Sequence, residues 1–465
     1  MTRSPGQDQP DLIVVGGSIG GLAAAIIAAD RRCRALILER GKELGGSAGA
    51  EAETIAAAGS RLQQEAGIAD SPAQLVDDIL ASARHHVEPA LVSALAEQGA
   101  PLVAWLASRC GSAVELLRGP RTGHCAARLH VPGPRGGASL VADLTRAAIR
   151  HSHITVRTGA VVERLVRDEA GAVQGIAIRG DRRGASHTFS GRVLLASGGF
   201  VANDELVATH CPDAAVLPYC GAALATGDGL QLAREAGAGV HRMSACLVTP
   251  FLAMPGQLAI GTPLVELGAM LVNQAGRRFA DETGEGLGLA ITVRAQPGKV
   301  AYLLFDERIA DAARAADPFF RQVILPRAGR RGSTIPDLSK QLELDAEGLA
   351  LTIDTFNGNL DLGGDPFGRD RFGGRLEAPF HAIRVTGARL RTLGGLAVDA
   401  SARVLDGENR PIPGLYAAGG TAAGLGGDGT EGILDGTAAP AALGLGSLAA
   451  LDVIAAAAAA RAGEE

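Results

Sequence analysis

The feature that most constrains this chain is its opening strand, turn, helix and strand. DLIVV (11–15) is a short apolar run of strand length, GGSIGG (16–21) a tight glycine turn, LAAAIIAADRR (22–32) a helical stretch, and ALILE (35–39) a second apolar run. Together they read as a βαβ unit. Gly16 permits the tight turn, Gly21 lets helix and strand pack closely, and the free amides at the helix start can receive a pyrophosphate. Glu39 closes the second strand where an acid reaches the ribose hydroxyls of an adenosine. Ser18 stands where this fingerprint has its middle glycine, a small residue that still permits close approach.

The same residues also spell G-x-S-x-G (16–20) between a strand and a helix, the context of a serine hydrolase elbow. Two observations weigh against that reading. An elbow follows several earlier strands, whereas this strand is the first, and an elbow has no use for an acid ending the next strand. A second G-x-S-x-G, at 45–49, is separated from its strand by RGKEL. The βαβ unit alone leaves open a purely structural role, and it does not decide between NAD and FAD.

Size and charge narrow the classes further. The 465 residues, 47% of them apolar, suffice for two or three domains and a large core. Acids (50) and bases (44) are spread along the chain for a formal charge of -6, leaving no basic block to track a phosphate backbone, so nucleic acid is not an expected partner. The cysteines at 33, 110, 125, 211, 220 and 246 form no C-x-x-C, haem or zinc pattern, which fits a reducing cytoplasm and predicts no metal site. The first residues, MTRSPGQDQPD, lack the apolar core of a signal peptide. The stretch 438–460 is long enough to span a bilayer, but it is mostly Ala and Gly and carries Asp452, so a buried terminal helix is expected and no membrane span.

Distant segments add to the first motif. A Gly-rich approach and an amphipathic segment follow at 40–72, a turn and helix at 130–150, strands of a hairpin-like unit at 154–180, and a buried strand ending in glycines at 192–200. Near the end, PIPGLYAAGG is another buried strand running into small residues, followed by a helix from about Thr437 whose N-terminal amides are free to face a ligand.

The order of these motifs resembles the fumarate reductase and 3-ketosteroid dehydrogenase flavoprotein family over nearly the whole chain. VVGGSIGGLAAA, ILERGKELGGSA, AAAGSRLQQEAGIADSP, VLLASGGF, ATGDGLQLAREAGA, GAMLVNQAGRRFADE, TLGGLAVD and PIPGLYAAGG carry the resemblance. It implies an α/β fold, a Rossmann-like FAD-binding domain made of residues 1–229 and 378–465, with an α+β cap or substrate domain inserted at 230–377. It further implies noncovalent FAD. Gly16, Ser18, Ile19, Gly21, Glu39 and Arg40 would hold the adenosine and pyrophosphate, Gly46 and Ser47 would lie along the pyrophosphate and ribityl chain, and Val162 would meet the adenine by its backbone. Gly198, Gly199 and Asp228 would line the groove, and Gly419, Thr437 and Ala438 would approach the ribityl and ring end. Gly420 replaces an acid common after AAG, and Ser47-Ala48 stand where covalently flavinylated members carry histidine.

The family chemistry moves a hydride between flavin and a carbon beside an activated double bond, while donors polarise a carbonyl and an acid or base handles the proton. Fumarate-reducing members carry histidines before T-x-G-G, where this chain has Arg389, Leu390 and Arg391; their arginines fall at 284–288 and at Ile433 here. Ketosteroid-type members use tyrosines over the flavin, and Gly432 and His381 fall where two of these would be. The candidates for chemistry are Glu431 (proton exchange), Arg391 (carboxylate or carbonyl), His381 (donor to a carbonyl) and Tyr219, each with an ordinary alternative as a turn acid, a surface ion pair or a packed core residue. The expected function is formation or reduction of a C=C bond conjugated to a carbonyl, on an alicyclic or steroid-like ketone or acid. Electrons pass to an external acceptor or donor, since no haem or iron–sulfur motif is present. A non-catalytic or partner-dependent flavoprotein is the alternative.

Overall fold

The computed structural model describes residues 9–50, 54–118, 121, 123–180, 186–260, 263–284, 286–427, 429–430 and 432–462. It divides into two compact units. The first comprises Met1–Cys211, Ala222–Cys246 and Arg391–Glu465, and the second Pro212–Gly221 and Leu247–Leu390.

In the first unit the opening strand Leu12–Val15, all apolar and buried, lies at the centre of a six-stranded sheet. Ala35–Glu39 pairs with it in parallel on one side and Arg192–Leu195 on the other, so Leu12 faces both Ala35 and Arg192. Ile154–Thr158 extends the sheet beyond Ala35–Glu39, while Pro411–Ala417 extends it beyond Arg192–Leu195 and carries the antiparallel edge strand Arg403–Leu405. Strand order thus reverses at Leu12–Val15, and in an open parallel sheet the crevice beyond the carboxyl ends at such a point is where ligands bind. The hairpin expected over 154–180 is formed by Val162–Arg167 and Val173–Arg179 alone, because the preceding strand is recruited to the parallel sheet.

The helix Ile19–Asp30 starts at Ser18, whose Oγ accepts from the Gly21 amide at 3.4 Å. It packs along the terminal helix Ala438–Ala462. A Cβ on Gly20 would come 2.5 Å from the Ala442 carbonyl oxygen, and one on Gly446 would overlap the backbone of Gly20, so only glycines allow this crossing. The composition of the terminal helix is therefore that of a tight helix crossing. Asp452 accepts from the Tyr416 hydroxyl at 2.7 Å, and burial first, then this carboxylate, pushes the Tyr416 hydroxyl well above its ordinary pKa. By length and composition alone, Pro89–Arg109 and the terminal helix are both apolar enough to cross a membrane; in the fold Gly444 of one lies against Leu95 of the other.

The second unit is built on a sheet in which the long strand Phe380–Thr392 pairs antiparallel with Ala301–Asp306 and with Gly329–Gly332. Leu271, Leu303, Leu304, Phe305, Ile309, Leu338 and Ile383, all essentially inaccessible, form the centre of its core. Its limits differ from the insertion expected at 230–377. Residues 230–246 stay with the first unit, because Gly227 donates to the Gly199 carbonyl at 3.0 Å, Gly229 to Ser197 Oγ at 3.2 Å and Gly239 to the Leu405 carbonyl at 2.8 Å. Residues 378–390 belong to the second unit through the pairing of Phe380–Thr392.

Candidate functional site

At the switch point of the parallel sheet, Gly16 has φ +103°, and a Cβ on it would come 2.5 Å from the Ala196 carbonyl oxygen. This is a backbone position closed to other residues. Gly21 lies against the Gly16 carbonyl and Val14, which sets the first helix close to its strand. The start of that helix, at Ser18 and Ile19, follows the carboxyl end of the first strand and carries the partial positive charge of a helix N-terminus. Glu39 accepts from the Gly17 amide at 2.8 Å and from Gly41 at 2.6 Å, so its carboxylate is aimed back across the turn and held rigid.

Gly46 and Ser47 reach the same place by a backbone link, since Gly45 donates to the Gly17 carbonyl at 2.7 Å and bridges Ser18. Gly46 has φ +59°, and a Cβ built on it meets nothing within 4 Å. That opening in the backbone beside a helix N-terminus fits the phosphate groups of a dinucleotide. Val162 follows a turn pinned to the second strand, where Gly159 donates to Gly41 at 3.0 Å and Ala160 to Glu39 at 2.9 Å. It therefore stands next to the acid expected at the ribose.

Arg40 turns away from a phosphate role. Its guanidinium donates to Asp228 at 2.5 Å, to the Leu224 carbonyl at 3.0 Å and to Thr226 Oγ1 at 3.1 Å, while Thr226 donates to Asp228 at 2.6 Å. These contacts clasp the loop 224–228 to the end of the second strand. Gly198 and Gly199 continue the groove, with Thr421 Oγ1 donating to the Gly198 carbonyl at 3.1 Å. Gly419 lies over both helix starts, its Cβ position 3.8 Å from Ser18 Oγ and from the Ala442 side chain. Thr437 is buried and donates to the Leu434 carbonyl at 2.7 Å, and Ala438 opens the terminal helix. A side chain at Gly420 would press on the Gly199 amide at 2.8 Å, so the acid expected there in relatives has no room in this backbone.

Glu431 lies outside the described residues. Arg391 is half-buried in the first unit, one residue before Thr392, whose Oγ1 accepts from the Phe200 amide at 3.1 Å. Just beyond, Gly395 rests against the Thr421 carbonyl, which sets this stretch beside the 419–421 turn. In the second unit Tyr219 bridges Arg389, with the Arg389 amide donating to the Pro218 carbonyl at 2.9 Å, and its ring lies over Gly221.

His381 sits elsewhere. Its ring stacks on Phe305 with centroids 5.4 Å apart, and Nε2 is 3.2 Å from the Glu307 carboxylate, which also receives Arg314 at 2.8 Å and Arg331 at 2.9 Å. Burial lowers the His381 pKa, while Arg314, Arg331 and then His381 hold the Glu307 carboxyl at about 2. His381 and Arg389 are eight residues apart on one strand, roughly 26 Å at strand rise. The structure thus does not bring His381 together with Tyr219, and its surroundings are those of a satisfied core histidine.

Two features were not singled out from sequence. Thr392, part of T-x-G-G, ties that motif to the groove. His124, in a Gly-His-Cys turn, packs beside the approach to the terminal helix. The signal for it was a histidine next to glycine outside any periodic pattern. Among the described residues no cluster of His, Cys, Asp and Glu is arranged to hold a metal, and all six cysteines are free thiols, with burial pushing Cys110 up to about 12.

A parallel sheet with a glycine turn and a helix start at its switch point, and an acid closing the second strand, has the architecture of a dinucleotide-binding domain. Residues 11–431 match the family described as FAD binding domain, and the chain belongs to that family. It is 30% identical over 416 residues to the fumarate reductase (cytochrome) of Shewanella frigidimarina, covering 89% of this chain and 72% of that protein. It is 26% identical over 512 residues to the 4-oxocyclohexanecarboxylate 2-dehydrogenase of Sinomonas cyclohexanicum, covering 88% and 87%. The open conformation of a flavocytochrome c3 fumarate reductase superposes with a TM-score of 0.82 at 27% identity, over 97% of this chain and 78% of that one. The chain is an FAD-dependent oxidoreductase acting on CH–CH groups, as the order of its motifs implied.

Proposed function

We propose that this chain forms or reduces a C=C bond conjugated to the carbonyl of an alicyclic or steroid-like ketone or acid. The supporting observation is Arg391, a half-buried residue on a stretch that Gly395 sets beside the 419–421 turn and Thr392 ties to Phe200, where fumarate-reducing members carry histidine. Bound FAD would supply the two-electron acceptor or donor, held by Gly16, Ser18, Ile19, Gly21, Glu39, Gly46, Ser47, Gly198, Gly199, Gly419, Thr437 and Ala438, with Val162 at the adenine. Arg40 and Asp228 hold the loop that closes this groove. Arg391, charged at any working pH, orients the substrate carbonyl and stabilises the charge that builds on its oxygen as the neighbouring double bond forms or is consumed.

The second unit is the substrate domain of this reading. The external electron donor or acceptor belongs to the same reading, and the free thiols support a cytoplasmic setting. The Tyr416–Asp452 bond supports a terminal helix that is core rather than membrane span. The test is to photoreduce the purified yellow protein without oxygen and mix it with cyclohex-2-enone, 4-androstene-3,17-dione and fumarate. The enones should reoxidise the flavin fastest; reoxidation by fumarate alone would reject the substrate class.

A further inference from the structure

The segment 222–229 is tied to both flanks of the switch point. In the parallel sheet the opening strand lies between Ala35–Glu39 and Arg192–Leu195, so the chain leaving each of these neighbours flanks the turn that begins at Gly16. At the spacing of paired strands the two flanks stand about 10 Å apart. Residues 225, 227 and 229 bond to the chain leaving Arg192–Leu195, while Arg40, the first residue after Ala35–Glu39, bonds to residues 224, 226 and 228. The segment is thus a strap across the carboxyl end of the opening strand, where an open parallel sheet takes its ligand.

The two attachments differ in kind. Beside Arg192–Leu195 they are made by backbone and by packing. The Ala202 amide donates to the Ala225 carbonyl at 2.9 Å, the Gly227 amide to Gly199 at 3.0 Å and the Gly229 amide to Ser197 Oγ at 3.2 Å. Gly227 has φ +83°, and a Cβ on it would come 2.9 Å from that of the fully buried Phe200. On the other flank the tie runs through a guanidinium, with Thr226 Oγ1 accepting from Arg40 and donating to Asp228. The side chains of Arg40 and Asp228 are 32% and 44% exposed, and Leu224, whose Cδ1 lies against Gly41, is 46% exposed. Regions open locally where buried contacts are few and polar ties meet solvent, so the strap is weakest at Arg40 and hinged on the 197–203 side.

We propose that the strap 222–229 gates the exchange of FAD, with Arg40 as its latch. The latch is made within the protein, its guanidinium committed to Asp228, Leu224 and Thr226. It therefore closes alike over an empty and a filled crevice, and a contact common to both states cancels in the binding equilibrium. Arg40 accordingly sets the rates of entry and release and leaves the affinity unchanged, whereas a phosphate ligand would alter affinity and release together. The proposal is independent of the substrate class.

The experiment uses the FAD-loaded full chain, Arg40→Ala and Thr226→Val. Replacement of bound FAD by isotope-labelled FAD gives the release rate, and equilibrium dialysis gives the affinity. Release from Arg40→Ala should be about fivefold faster, a modest factor because both charges are partly exposed, at an unchanged dissociation constant. Faster release with a matching loss of affinity would make Arg40 a cofactor ligand, and release at the parent rate would make the strap immaterial; either result overturns the proposal. Thr226→Val keeps the Arg40 stem and the shape of residue 226 but removes the shared hydroxyl, so it should speed release about twofold at unchanged affinity. Parent-like release from it would assign the Arg40 effect to packing of the stem and overturn the latch. Raising KCl from about 0.1 to about 1 M shortens the screening length from about 10 to about 3 Å. Release should therefore speed up more in the parent protein than in Arg40→Ala, and equal salt responses would also overturn the proposal.

Discussion

In the first unit two helices cross where Gly20 meets Gly446, and the crevice beside them is shaped by Gly16, Gly46 and Gly419. In the second, Glu282 and Asp365 lie fully buried between Arg278 and Arg369. Arg369 donates to the Ala269 carbonyl at 2.7 Å and Val265 at 2.9 Å, Arg278 to Glu282 at 2.7 Å, and both guanidinium groups lie over Phe356, at 5.3 and 5.1 Å from its ring centroid. One unit owes its geometry to missing side chains, the other to long charged ones. A dinucleotide needs backbone approach, which side chains obstruct; the second unit binds loops 265–282 and 356–372 together through side chains.

The contrast is broken most severely at the charged network. Arg369→Met should leave Glu282 with Arg278 as its one cationic partner, beside the Leu271 amide, in a dry site and destabilise the second unit by about 3–5 kcal/mol. Hydrogen exchange over 265–282 and 356–372 would report it. Exchange unchanged from the parent protein would show that the charges are incidental to the packing.

Next in size is the helix crossing. Gly446→Val places a branched side chain where even a Cβ overlaps Gly20, which should cost about 1–3 kcal/mol. Because Gly20 lies in the turn of the phosphate end, the variant should also release flavin, read as a rise in free-flavin fluorescence. Loss of stability with flavin retained would separate the crossing from the cradle.

Smaller again is the acid that closes the second strand. Glu39→Gln keeps one acceptor for the Gly17 and Gly41 amides but loses the charge and turns a donor toward one of them. Weakening by about 1.4 kcal/mol corresponds to tenfold lower FAD affinity, measurable by titrating the apoprotein. An affinity equal to that of the parent protein would remove Glu39 from the binding set.

The same contrast governs what could be read from sequence. Glycine cradles leave marks in order and spacing, so the βαβ unit, the strands at 192–195 and 411–417 and the terminal helix are where the motifs indicate. RRFADE is readable as a motif but not as a buried network, since Asp365 and Arg369 lie more than eighty residues away along the chain. The boundary at 230 differs for a related reason: the ties of 227–239 to Gly199, Ser197 Oγ and Leu405 are made by backbone amides that no local pattern announces. His381 looked like a carbonyl donor because its neighbours in sequence are apolar, whereas Glu307, Arg314 and Arg331 reach it from other elements. Arg40 was assigned to the cofactor by position, and only the fold shows its guanidinium committed to Asp228 and the 224–226 loop.

The smallest effect concerns the His381–Glu307 cluster of the second unit, where charge is again used as a fastener but Glu307 and Arg331 are partly exposed. Burial first of all lowers His381 below its ordinary 6.5, and Glu307 is held at about 2 by Arg314, Arg331 and His381. Both groups therefore bind fewer protons folded than unfolded, so stability rises with pH wherever either titrates. The His381 contribution is present above 6.5 and declines as pH falls toward its lower folded value, and that of Glu307 is present above the ordinary 4.5 and is lost on descent toward about 2. In Glu307→Gln the loss between 4.5 and 2 should largely vanish, while the His381 part persists or grows because its favourable partner is gone. Urea midpoints measured across the acid range would show it. A parent protein whose midpoint does not fall on acidification would mean that the cluster in solution is too hydrated to act as a fastener, leaving the buried Arg278–Glu282–Arg369 network as the charge that holds this unit.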